Sequence, residues 1–292
     1  NMNKILVTGG AGFIGSNLCE ALSKDPNNEV YSLDNYFTGS KDNHVHNVEY
    51  IEGDVCDISI LVKFSPNIIY HLGEYSRVEQ SFEDIEKVWK FNKIGIFSLL
   101  EFVRKNNSKL IYSGSSTKFS DGQLGRSQSP YAWIKATNSE LIVNYGNWYG
   151  ISYAITYFYN VYGKREISSG KYATLIASFI EKMANGKPLT VVLPGQQTRN
   201  FTHIDDIIEG IILVGRYGHG DEFGIGNSKS YSILEIANLF GGEIRMLPER
   251  VGNRMMGDLI TAKTESLGWT SRRNIEDYIN NLKKDNWKIN EK

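Results

Sequence analysis

Short apolar runs alternate with longer amphipathic stretches through the first half of the chain. The apolar runs are Lys4–Thr8, Glu29–Asp34, Val48–Glu52, Ile68–Leu72 and Lys109–Ser113, each carrying the β-branched or aromatic residues of a strand. Helical patterning covers Phe13–Leu22, Ile58–Val62, Phe82–Lys105 and Tyr131–Tyr149. Strands and helices alternating at this spacing predict an α/β fold built on a parallel, doubly wound sheet. A further strand at Ser152–Tyr157 and a helix at Tyr172–Asn185 follow, and then the pattern loosens. Strands are expected at Leu189–Leu193 and Glu222–Ile225, and helices at Ile204–Gly215, Ser232–Phe240 and Ile275–Asn286. No internal repeat or low-complexity linker interrupts the chain. Residues 1–160 are therefore expected to form the sheet domain, with sheet additions from about 189–225. Residues 161–292 should form mainly a smaller lobe closing over the carboxyl ends of the strands, where ligands bind in such folds.

Composition narrows the function classes. The 32 basic and 33 acidic residues nearly cancel, and no dense Lys/Arg run occurs, which argues against nucleic acid as a partner. Cys19 and Cys56 lack Cys-x-x-Cys spacing, so a disulfide framework is not expected. No leader pattern precedes the first strand, and no apolar run nears the ~18 residues of a membrane span. The expected setting is the cytoplasm, with no membrane partner. The histidines His44, His46, His71, His203 and His219 show no metal-ligand spacing, so no metal is expected. His71 reads as a satisfied core histidine. His203 reads as lying at a helix start capped by Thr202 or Asp205.

Two constellations carry chemistry. In the stretch Lys4–Ser16, an apolar strand runs into glycines at Gly9, Gly10, Gly12 and Gly15 and then into a helix. Such a turn presents bare N–H groups and a positive helix end to a phosphate, and Gly10–Gly15 fits the G-x-G-x-x-G dinucleotide fingerprint. Asp34 ends the second strand, placed to accept from an adenosine ribose diol and to repel a 2′-phosphate, which favours NAD over NADP. Asp54, after the third strand, can accept from an adenine amino group. The second constellation is Tyr131 and Lys135, four residues apart on one helix face behind Pro130. A free tyrosine ionises near pH 10, and a nearby ammonium stabilises its phenolate. A hydroxyl cluster, Ser113-Gly114-Ser115-Ser116-Thr117, precedes the pair.

The motifs TGGAGFIG (Thr8–Gly15), LDNYFTG (Leu33–Gly39), GDV (Gly53–Val55), HLG (His71–Gly73), SPYAWIK (Ser129–Lys135), NVYGKR (Asn160–Arg165) and RNFTHIDD (Arg199–Asp206) occur in order. Together they resemble the extended short-chain dehydrogenase/reductase family, in its nucleotide-sugar epimerase/dehydratase branch, from Lys4 to about Tyr278. The resemblance implies a Rossmann-type domain holding NAD and a C-terminal lobe holding a nucleotide-diphosphate sugar that is oxidised at C4. It implies cofactor contacts at Gly9, Gly12, Phe13, Ile14, Gly15, Asp34, Asn35, Asp54, Val55, Leu72, Asn92 and Lys135. Tyr131 would be the base, Lys135 would hold the nicotinamide ribose, and Ser115, helped by Thr117, would bond the sugar hydroxyl. Asn160, Arg199 and Arg250 would grip the nucleotide and its phosphates. Phe82–Lys105 and Tyr131–Tyr149 carry more apolar surface than one sheet face requires, and the resemblance implies that they pair with their twofold mates as a four-helix homodimer interface.

Departures from the family pattern cluster at the sugar pocket. Glu74 stands where a small residue is usual, and as a buried carboxylate it needs a partner, for which Arg77 is the candidate. Lys118-Phe119-Ser120 replaces the usual Val-Tyr-Gly, the loop Asp121–Gln128 is short and polar, and Arg250-Val251-Gly252-Asn253 lacks its acid. Ser115-Ser116-Thr117 replaces the Thr-Asp-Glu of 4,6-dehydratases, which removes the acid pair that drives water loss. A 4-epimerase is accordingly preferred. The alternatives are a 4-dehydrogenase or 4,6-dehydratase releasing a 4-keto sugar and, from another class, a catalytically idle NAD-binding sensor.

Overall fold

The computed structural model describes residues 1–119, 125–251, 255–256 and 258–289. Seven strands form its main sheet: β1 (Asn3–Thr8), β2 (Asn28–Asp34), β3 (Val48–Glu52), β4 (Ile68–His71), β5 (Lys109–Gly114), β6 (Ser152–Phe158) and β7 (Gly220–Ile225). All pair in parallel, in the order β3-β2-β1-β4-β5-β6-β7. The order reverses between β1 and β4, which opens a crevice at their carboxyl ends. The Rossmann-type expectation holds.

Alternation along each strand divides the core between the two faces. Ile5 and Val7 of β1 pack with Leu18 of α1 (Phe13–Ser23) and with Ile207 and Ile211 of α7 (Ile204–Tyr217). Leu6, between them, faces the other way, onto Ile96 and Leu99 of α4 (Gly95–Asn106) and Ile142 of α5 (Pro130–Tyr149). Helix α5 starts as its sequence prescribes. Pro130 occupies the first turn, and the Ser129 hydroxyl accepts the Ala132 N–H at 3.0 Å. Gly150, with φ +69°, ends it. A separate apolar cluster, including Phe179, Ile180, Val191, Phe240 and Ile279, forms the heart of the C-terminal lobe.

Four expectations need correction. The strand at Leu189–Val192 adds nothing to the main sheet; it pairs with Ile244–Leu247 in a two-stranded ribbon inside the C-terminal lobe. The helix expected over Phe82–Lys105 is segmented: α3 (Ile85–Val88) passes into a π-helical turn at Trp89–Ile94 and only then into α4. At His203 the imidazole itself caps α7, its Nδ1 accepting the Asp205 N–H at 3.0 Å, so neither Thr202 nor Asp205 is the cap. The helix expected from Tyr172 begins at Leu175, because Tyr172 belongs to a loop pinned across the cavity. Short strands at Val161–Tyr162, Thr198–Asn200, Thr202–His203 and Ser230–Ser232 lack a readable pattern because each spans only two or three residues. Ser120, residues 121–124 and Gly252-Asn253 lie outside the described residues.

The C-terminal segment is anchored through one buried carboxylate. Asp206 accepts from the Ser271 hydroxyl, from the backbone N–H groups of Arg272 and Arg273, and from the Arg273 guanidinium at 2.6 Å. Asp206→Ala removes the buried acceptor that all four donors share and is expected to cost about 3 kcal/mol. A lowered denaturation midpoint in urea checks this.

Candidate active site

The glycine turn forms one end of a cavity of about 1330 Å3 that runs along the carboxyl ends of the strands. Its shape requires glycine. Gly9 sits at φ +75°, and a side chain there would lie 2.8 Å from the Gly73 backbone nitrogen. A Cβ on Gly15 would lie 2.0 Å from the Gly9 carbonyl oxygen. Helix α1 begins on Gly12 with no side-chain cap and no acid in its first turn. An uncapped, glycine-cleared helix start fits a dinucleotide diphosphate. Gly9, Gly12, Phe13, Ile14 and Gly15 line the cavity here.

Asp34 lines the same end, 8% exposed. Its carboxylate accepts the Ala11 N–H at 3.0 Å and the Tyr36 N–H at 2.8 Å, which ties the ribose-side acid to the glycine turn. Burial raises its pKa, and the two N–H bonds offset part of that rise. Asn35 donates to Asp54 Oδ1 at 2.8 Å, so these two expected adenosine-side residues hold each other; Val55 and Leu72 line the cavity beside them. Asn92 lies in the π turn, where its amide bonds the Tyr75 backbone twice: Oδ1 accepts at 2.7 Å and Nδ2 donates at 3.0 Å. It supports the loop after β4 instead of lining the cavity.

The Tyr131–Lys135 pair is where the sequence reading changes most. Both line the cavity, one helical turn apart. Lys135 Nζ donates to Glu74 Oε1 at 2.7 Å and to the Ser113 carbonyl. Both side chains of this ion pair are buried, 4% and 3% exposed. Glu74 also accepts from the Tyr112 hydroxyl at 2.6 Å and from Asn138 Nδ2 at 3.3 Å. His71 Nε2 stands 3.5 Å from Glu74 Oε2. Burial alone would raise the Glu74 pKa, but the Lys135 charge and His71 outweigh it and hold the carboxyl down to about 2. The expected partner, Arg77, is engaged elsewhere: its Nε and Nη2 donate to the Tyr172 carbonyl at 2.9 and 2.7 Å. His71 is a core histidine as expected, but not a satisfied one: its Nε2 faces Glu74 and makes no hydrogen bond within normal distance among the described residues.

Ser115 Oγ lies 2.7 Å from Thr117 Oγ1, and both hydroxyls line the cavity near Tyr131. At the far end the C-terminal lobe contributes Asn160, Arg199 and Arg250. Asn160 Oδ1 is buried without a hydrogen-bond partner among the described residues, as a ligand-facing atom would be. Arg250 pairs with Glu79 at 2.9 Å, bridging the lobe to the loop after β4. Glu166 escaped the sequence reading, although it directly follows the Asn160–Arg165 motif. It lines the cavity and accepts from the Gly163 N–H at 3.0 Å and the Thr174 hydroxyl at 2.8 Å. Burial pushes its carboxyl up to about 7, with Gly163, Thr174 and Arg77 pulling the other way.

A glycine-cleared helix start at the switch point of a parallel sheet, with tyrosine, lysine and serine converging at the strand ends, defines a dinucleotide-dependent redox enzyme of the extended short-chain dehydrogenase/reductase class. The chain belongs to the NAD dependent epimerase/dehydratase family, whose family model matches residues 5–226. It is 30% identical over 305 residues to a Methanocaldococcus jannaschii protein assigned as a UDP-glucose 4-epimerase, covering 98% of each chain. It is also 30% identical over 313 residues to UDP-glucuronic acid decarboxylase 6 of Arabidopsis thaliana, covering 97% of this chain and 88% of that one. Among solved structures, UDP-glucuronic acid 4-epimerase from Bacillus cereus, in complex with UDP-glucuronic acid and NAD, superposes with a TM-score of 0.85 at 27% identity, over 96% of this chain and 99% of that one. The family is NAD-dependent, and NAD is the cofactor. Among the described residues no cluster of His, Cys, Asp and Glu could hold a metal ion, and no helix is long and apolar enough to cross a membrane.

Two predictions follow from this geometry. Gly15→Ala forces a methyl group against the Gly9 carbonyl and is expected to weaken NAD binding at least about tenfold, or ~1.4 kcal/mol, by calorimetric titration. The depressed Glu74 carboxyl makes the native state bind fewer protons than the unfolded chain at acid pH. Its stabilisation is complete above its ordinary 4.5 and is lost as pH falls toward about 2. Glu74→Gln should therefore flatten the acid limb of the stability profile, measured by urea unfolding between those pH values.

Proposed function

We propose that the protein is an NAD-dependent nucleotide-sugar 4-epimerase. The observation that carries this reading is the wall around Tyr131. It offers the hydroxyls of Ser115 and Thr117, while the adjacent carboxylate, Glu74, is locked in an ion pair with Lys135. That wall suits reversible removal of a hydrogen from a sugar carbinol and, among the described residues around Tyr131, offers no free acid for eliminating water. Tyr131 accepts the C4 hydroxyl proton and later returns it, Ser115 holds the C4 oxygen, and Lys135 bonds the nicotinamide ribose. NAD, when bound, would supply the hydride acceptor for C4 and the hydride donor for the opposite face of the 4-keto sugar. Asn160, Arg199 and Arg250 hold the diphosphate and nucleoside.

A second reading, release of a 4-keto sugar by a dehydrogenase or dehydratase, is favoured by one observation. Glu166, with a carboxyl near neutrality, lines the cavity and lies in electrostatic reach of Arg77. Mass spectrometry of UDP-, GDP-, dTDP- and CDP-sugars after incubation separates the readings. A chromatographically separate product of unchanged mass supports the epimerase, whereas loss of water from the sugar or accumulated NADH absorbance supports the second reading. Tyr131→Phe should lower turnover by about 10²–10⁴-fold while NAD binding stays intact.

The assembly we propose is a homodimer in a cytoplasmic setting. Trp89 and Phe97, on the π turn and α4, are 46% and 58% exposed; Trp133 and Trp148 of α5 are 42% and 61% exposed. This much aromatic surface on two neighbouring helices fits a second copy of the same face related by a twofold axis. Light scattering should give twice the chain mass, and Phe97→Glu should give the monomer.

A further inference from the structure

The Glu74–Lys135 pair is built more firmly than an incidental ion pair. The carboxylate is faced from three elements: by His71 of β4, Tyr112 of β5, and Lys135 and Asn138 of α5. The His71 ring is itself fixed. Thr8 Oγ1 accepts the Gly73 N–H at 3.0 Å, which leaves its own hydrogen for His71 Nδ1 at 2.6 Å. The imidazole proton then sits on Nε2, toward Glu74. Lys135 commits two of its three N–H donors, to Glu74 and to the Ser113 carbonyl, and stands 4.7 Å from the centre of the Tyr112 ring. One donor remains for a ligand in the cavity it lines.

We propose that Glu74 is a positioning residue that aims the remaining Lys135 donor into the cavity and cancels the ammonium charge, so that the site does not repel oxidised nicotinamide. This rests on the reading of Lys135 as the lysine beside the nicotinamide ribose. The physics is elementary. Oxidised nicotinamide carries a positive charge and the reduced ring none, so an uncompensated ammonium nearby disfavours the oxidised form selectively. In this site the pair sums to zero, and the Tyr131 phenolate is left to the charges of Arg77, in electrostatic reach of it, and of oxidised nicotinamide. Among the described residues, Lys93 on the π turn is also in electrostatic reach of Glu74, and Arg77 and Tyr131 are in reach of one another. A purely structural Glu74 would affect both nucleotide forms alike, whereas a charge-cancelling Glu74 alters their ratio.

The test titrates the full-length protein, freed of nucleotide, with NAD+ and NADH separately by calorimetry. Glu74→Gln should move the ratio of the two dissociation constants about tenfold toward NADH. Glu74→Asp, which keeps the charge, should return the ratio to within about threefold of the parent. Lys135→Gln leaves the carboxylate uncompensated and should move the ratio the other way, which keeps the test decisive if Glu74→Gln folds poorly. Equal weakening of both forms in Glu74→Gln and Lys135→Gln, with the ratio unmoved, overturns the proposal. Failure of the unaltered protein to bind either nucleotide would instead overturn the underlying cofactor reading.

Discussion

The site depends on a backbone-to-backbone contact at the sheet's switch point. The chain leaving β1 at Gly9 and the chain leaving β4 at Gly73 approach so closely that neither position has room for a side chain. That contact sets the floor of the cavity. It clears the start of α1 for a diphosphate on one side, and on the other it delivers the residue after Gly73 to the foot of α5. Glu74 is therefore committed inward by the backbone before any electrostatic attraction acts.

Inward commitment creates a burial problem, and Lys135 solves it. A lone buried carboxylate or ammonium costs several kcal/mol, and the two together, with Tyr112, Asn138 and the Ser113 carbonyl, satisfy each other. The far end of the cavity is organised on the same principle. Arg77 is held by the Tyr172 carbonyl, and Tyr172 and Lys171 both bond Asp84, at 2.7 and 3.0 Å. The loop from the C-terminal lobe is thus strapped to the loop after β4 across the cavity. The two ends of the cavity are parts of one polar scaffold.

Much of this was legible in the sequence. The strand–helix alternation, the glycine turn, Asp34, and Tyr131 with Lys135 on one helix face are local patterns, and local patterns survive folding. What escaped were pairings set by tertiary approach. Glu74 and Arg77 are three residues apart, which made Arg77 the natural partner, but the loop turns the guanidinium toward Tyr172 and leaves the carboxylate to a lysine 61 positions away. The expected long helix was misread because a π turn keeps helical periodicity on both sides while slipping one residue between them. The ribbon at Leu189–Val192 looked like a sheet strand because its apolar alternation is the same; only its partner differs.

That extra residue has a consequence for how the molecule can change over time. Trp89 on the outward side of the π turn and Asn92 on its inward side share a single helical coil. The Asn92 carbonyl is bonded by Asn138 of α5 at 2.9 Å. Deleting one residue here would restore ordinary α-helix and swing everything upstream through about 100°. The tryptophan would leave its face at the same moment as the asparagine left the Tyr75 loop. The exposed aromatic face and the cavity floor are thus geared together, and neither can drift by single-residue insertion or deletion without dragging the other.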